Sequence, residues 1–224
     1  PLVAAATHPD AETARLALRS IQRLGWAPVL AMQDEAWPLA QSVADGDWNT
    51  GVYSLIHEAG KVGGHKAVES PRPQLGREND AQGFAIIHAV GETRHPNALQ
   101  PLVDVWEESP ESRSAVVPAL GRLGHDEAVP VLENWHEGAG ARLQQQIQKA
   151  MADIGTAEAV AFLEQRLQAA EGQQRLRQIS MLGRAKSDEA ETVLRRLLDD
   201  QDDAVASAAR SALLSRGVAD SAEL

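Results

Sequence analysis

The chain has 224 residues, of which 43 % are hydrophobic, only 4 % aromatic and none cysteine, with a formal net charge of −11. The lack of cysteine excludes a disulfide scaffold, a thiol nucleophile and a thiolate metal site, and the acidic balance argues against nucleic acid, whose phosphates need Lys and Arg to neutralise them. No apolar run approaches the ~18 residues of a membrane span. The reading is therefore an acidic, cytoplasmic protein that engages neither nucleic acid nor membrane, and its Ala- and Leu-rich apolar content favours helices over strands.

The first segment, PLVAAATHPD, lacks the basic and longer apolar stretches of a signal peptide. It reads as the tail of a helix and a turn, followed by a helix from Ala11 to Leu24. Residues 26–33, WAPVLAMQ, are an insertion that puts this short unit out of step. From there a ladder of alanines marks helix starts: Ala36, Ala67, Ala98, Ala128, Ala159 and Ala190, spaced by 31, 31, 30, 31 and 31 residues. A second ladder closes each unit: Gly60, Gly91, Gly121, Ala152, Gly183 and Leu214, spaced by 31, 30, 31, 31 and 31. Two ladders with one period mark internal repeats. The units are 1–25, 34–63, 64–94, 95–124, 125–155, 156–185 and 186–217, in one domain with a polar tail at 218–224.

Unit 125–155 shows the physics of the repeat. Asp126 is placed to cap a first helix, and Glu127 lies where the helix dipole favours an acid, as do Glu35, Glu158 and Glu189 in other units. Ala128, Val129 and Leu132 form an apolar stripe, and the glycines of 137–140 break the helix. Leu143, Ile147, Ala150, Met151 and Ile154 repeat at helical spacing in a second helix, which Gly155 ends. Neither helix buries its stripe alone, so stacked neighbours must cover it. The expected fold is an all-α α-solenoid of about six to seven helical hairpins, its small ladder residues letting helices approach closely. The short first unit leaves apolar surface that a second copy could cover, so self-association through an end unit is an open expectation.

The segments VVPALGRLGHDEAVPVLENW and SMLGRAKSDEAETVLRRLLDDQDDAVASAARSALLSRG resemble the HEAT-like repeats named after phycobilisome lyases. The resemblance covers roughly residues 30–217. That family often carries an Arg eight residues before the Gly rung; here Arg113 and Arg175 match, while Val52, Gly83, Gln144 and Ala206 replace it. Unit 64–94 departs further, because Pro71 and Pro73 should break or shorten its first helix. A solenoid offers a long, shallow concave surface, so the expected role is a non-enzymatic scaffold, adaptor or assembly factor that binds a protein or peptide on that face, without a cofactor. The resemblance implies the alternative of a lyase- or chaperone-type subunit acting on a tetrapyrrole-bearing protein, with a His-Glu metal hydroxylase as a remote alternative.

Histidines and aromatics supply the candidate partner-binding residues. His57 and His88 are 31 residues apart, each three before the Gly rung of its unit, and Tyr53 and Phe84 lie one turn earlier on the same helix faces. In HEAT-type solenoids second helices line the concave side, so Tyr53, His57, Phe84 and His88 would form one recognition patch. The competing reading has Tyr53 and Phe84 filling the core between repeats. His57-Glu58, within LIHEAGKVGG, is similar to the iron-binding motif of deoxyhypusine hydroxylase, a HEAT-like enzyme with four such pairs. His136-Glu137 is the one other such pair here, and it falls in a different unit and helix, so no metal site is expected. Trp106 and Trp135, late in first helices, are expected in the core, whereas Trp26 and Trp48 lie in turns. The run RLQQQIQK, Arg142–Lys149, keeps helical apolar spacing, so its glutamines are expected on a solvated face. No phosphate-cradling loop with a following Lys-Ser/Thr and no G-x-S-x-G occurs, and glycine-rich GKVGGHK fits an inter-repeat turn.

Overall fold

The computed structural model describes residues 81–217, with the isolated positions 10, 13, 16, 17 and 20. Tyr53, His57, Trp26, Trp37, Trp48, Pro71, Pro73, GKVGGHK and the tail 218–224 lie outside the described residues. The described residues form nine α-helices and no strand. These are α1 (Ala81–Glu92), α2 (Leu99–Glu108), α3 (Arg113–Leu123), α4 (Ala128–Glu137), α5 (Ala141–Ile154), α6 (Ala157–Gln168), α7 (Gly172–Arg184), α8 (Asp188–Arg196) and α9 (Asp203–Ser215). The chain divides into two compact units, residues 1–119 and 120–224.

In residues 1–119, α1 buries Ala85, Ile86, Ile87, Ala89 and Val90. A 3₁₀ turn at Pro96–Ala98 leads into α2, and the His95 ring accepts a hydrogen bond from the Asn97 amide to cap that turn. The glycine ladder has a direct steric meaning here. A Cβ on Gly91 would lie 2.5 Å from the Ala119 carbonyl oxygen, so only glycine lets α1 approach that backbone. Trp106 is buried, as its spacing suggests, with Arg113 stacked over its ring at 5.0 Å. Arg113 Nε also donates to the Trp106 carbonyl at 3.1 Å, so the Arg of the repeat pattern ties the start of one helix to the end of its hairpin partner.

In residues 120–224, first helices pack on first helices (α4 on α6, α6 on α8), and second helices on second (α5 on α7, α7 on α9). Ala128, Val129, Leu132, Ile147, Ala150, Met151, Ala159, Leu163, Leu182, Leu194 and Leu213 make the core. Gly183 repeats the small-residue contact: an added Cβ would stand 2.9 Å from the Ala212 Cβ. Gly155 ends α5 with φ 69°, a left-handed conformation that suits glycine, and its amide donates to the Met151 carbonyl at 2.9 Å. The helix-start reading needs one correction. Asp126 does not cap α4 with its side chain; the cap position is Glu127, also without a side-chain bond, and the Asp126 backbone carbonyl accepts from Val129 instead. Ser187 and Asp202 do act as side-chain caps, for α8 and α9.

Polar ties join neighbouring hairpins at about one period. Arg184 pairs with Asp153 at 3.3 Å, Arg196 with Glu164 at 2.9 Å, and Arg216 donates to the Ser187 carbonyl at 2.7 Å. Arg175, the second Arg of the repeat pattern, pairs with Asp200. The adjacent arginines Arg195 and Arg196 are neutralised by Glu191 and Glu164.

Candidate interaction surface

Of the four predicted patch residues, Phe84 and His88 are described, both on α1. Phe84 is 36 % exposed and His88 is half-buried. Tyr53 and His57 lie outside the described residues, so the four-residue column is seen in half.

A second surface lies in residues 120–224, and the sequence hid it. It starts at His136, in the last turn of α4. His136 is buried, with 5 % exposure, and its ring meets Phe162 of α6 edge-on at 5.2 Å. Burial is the main cause that pushes the imidazole below its ordinary pKa; the Arg166 charge adds to it and Glu137 opposes it. The ring is therefore held neutral. Gln178 Nε2 donates to Gln148 Oε1 at 3.0 Å, which leaves Gln148 Nε2 to donate to His136 Nε2 at 3.2 Å. The ring proton then belongs on Nδ1. Gln144 Nε2 donates to the His136 carbonyl at 3.2 Å. Gln144 and Gln148 are thus half-buried members of a network, not the solvated face their run suggests, whereas Gln145 and Lys149 are exposed as expected.

Phe162 also carries Arg166 over its face at 4.9 Å, one turn along α6. Around this core opens a groove of about 500 Å³, lined mainly by α5 and α7 and floored by His136 and Arg166. Arg142, Arg166 and Arg177 line it together with Gln144, Gln145, Gln148, Gln174 and Gln178, and no carboxylate does. Two of its polar atoms are buried without a hydrogen-bond partner: the donor Arg166 Nε and the acceptor Gln178 Oε1. A different groove, on the first-helix side, is lined by Asp126, Glu133 and Glu158. These two grooves thus differ in charge: cations and amides line the one, carboxylates the other.

Among the described residues no group of three or more His, Cys, Asp or Glu is placed to hold a metal. His136 of the second His-Glu pair gives its Nε2 to Gln148. No helix among the described residues is long and apolar enough to cross a membrane.

No curated protein matches the chain. Residues 107–179, which run from the end of α2 into α7, match the family of HEAT repeats. The described helices are all α, and with this match they are consistent with an all-α HEAT-repeat solenoid.

Proposed function

We propose that this protein is a non-enzymatic interaction module, a scaffold, adaptor or assembly factor, which binds another protein or peptide along its second helices. HEAT repeats commonly serve as protein-interaction scaffolds. The observation that carries the reading is the α5–α7 groove, which the exposed Arg142 and Arg177 line together with five glutamines and no carboxylate. Cations and amides that converge on one open groove fit a surface completed by a partner. Phe84 supports a second contact point: it is one of three large apolar side chains exposed among the described residues. In this reading Tyr53, His57, Phe84 and His88 form one partner-binding column, and the units from 1–25 to 186–217 form the repeat array of a single domain.

The test is affinity capture from native lysate, followed by reconstitution with the purified partner. Wild type is compared with Tyr53→Ala/His57→Ala/Phe84→Ala/His88→Ala and with Arg142→Gln/Arg177→Gln, each checked for a native melt. The expected result is a reconstituted complex weakened by at least one of the two variants. A complex that neither variant weakens removes both surfaces from the reading.

A further inference from the structure

We infer that the α5–α7 groove recognises an acidic peptide segment, with a side-chain carboxylate seated against Arg166 and its neighbours; this deepens the interaction-module reading and rests on it. The first argument is charge. The chain has a net charge of −11, yet Arg142, Arg166 and Arg177 converge on a groove that no Asp or Glu lines. Elsewhere in the same compact unit, Arg175, Arg184, Arg195 and Arg196 each hold a carboxylate. Among the described residues Arg142, Arg166 and Arg177 have no such ion pair.

Arg142 is also placed against its own helix. It lies in the first turn of α5, where the positive end of the helix dipole disfavours a cation and no acid offsets it. An incoming carboxylate would relieve both costs.

The amides narrow the chemistry. Arg166 stands over the Phe162 ring at 4.9 Å, and a guanidinium matches a carboxylate. Gln145 and Gln174 are exposed and line the groove, and each offers an acceptor as well as donors. A free phosphate dianion supplies acceptors but no donor. A peptide supplies both, a carboxylate from Asp or Glu and a backbone N–H close by. A long nucleic acid would have to extend from this local cationic patch across a strongly acidic molecule, whereas a short peptide need not.

A random dodecapeptide display library panned against the full chain tests the inference, with Arg142→Gln/Arg177→Gln panned in parallel. Both residues are exposed, so this variant keeps its fold, which a thermal melt verifies. Peptides enriched in Asp and Glu are expected from the wild type, with about tenfold weaker binding by the variant in fluorescence anisotropy and further weakening with added salt. Arg166→Gln should give a similar loss. Selected peptides that are neutral or basic, or that bind wild type and variant equally, overturn the acidic-peptide assignment while leaving the module reading in place. A labelled 20-nucleotide thymidine oligomer that binds in an arginine-dependent way while acidic peptides do not also overturns it. Failure of any peptide to enrich overturns it as well, and the module reading is then judged by the reconstituted complex.

Discussion

Gly91→Ala should destabilise the protein although alanine is the better helix former. The added Cβ would stand 2.5, 2.8 and 3.0 Å from the oxygen, Cα and carbonyl carbon of Ala119. All three are backbone atoms, so no rotamer change relieves the clash, and α1 must move by close to 1 Å to reach the ~3.5 Å of ordinary carbon contact. Overpacking of this kind costs about 1–3 kcal/mol. Helix propensity returns at most about 1 kcal/mol, and less here because Gly91 is the penultimate residue of α1. The net loss should be about 1–2 kcal/mol, which lowers Tm by roughly 2–8 °C in a chain of this size. The assay is thermal unfolding by circular dichroism at 222 nm. Gly138→Ala is the control, since nothing lies within 4 Å of a Cβ there, and its effect should stay within about 0.5 kcal/mol. A Gly91→Ala protein that melts at or above the wild-type temperature would refute the close-approach argument.

Two further predictions concern caps and pH. The Asp202 carboxylate accepts from the Ala204 amide at 2.9 Å, whereas Ser187 Oγ accepts from Ala190 at 3.4 Å. Asp202→Ala should therefore cost about 1 kcal/mol and Ser187→Ala about half of that; equal losses in denaturant titration would contradict the geometry. The lowered pKa of buried His136 makes a signed prediction, because the unfolded chain takes up this proton more readily than the folded one. Stability should be complete above the ordinary histidine pKa of about 6.5 and decline as pH falls below it towards the folded value. His136→Phe, which keeps a ring against Phe162, should flatten this part of the profile in melts run between pH 5 and 8. A wild-type Tm that rises on acidification through this range would show that the ring is not held neutral.

The repeat was legible because its physics is local. Periodic apolar residues, a small residue where helices touch and glycine at a left-handed turn are each written at fixed offsets, so α4, α5 and Gly155 follow from the sequence. Side-chain caps were less legible: Asp126 has the right chemistry for one, but the Glu127 backbone takes the cap position. The α5–α7 groove was hidden for a different reason. Its members come from α4, α5, α6 and α7, up to 45 residues apart from His136 to Met181. Gln144 and Gln148 look like any polar helix face until His136 is known to lie beneath them. The clue in the sequence was the density of glutamine in RLQQQIQK, whose amides can donate and accept at once. Arg195–Arg196 misleads in the opposite sense, since adjacency in sequence says nothing of the carboxylates one period away.

The polar ties between hairpins have a mechanical corollary. Arg184–Asp153, Gln178–Gln148, Arg196–Glu164 and Arg216–Ser187 span 29 to 32 residues, so each joins a hairpin only to its immediate neighbour. Cooperativity within residues 120–224 is then a chain of nearest-neighbour couplings, and a perturbation fades with each interface it must cross. Loosening α9 should speed amide exchange first in α7 and α8 and leave α4 nearly untouched. Local opening at one hairpin can thus change a binding surface there while the rest of the array keeps its structure.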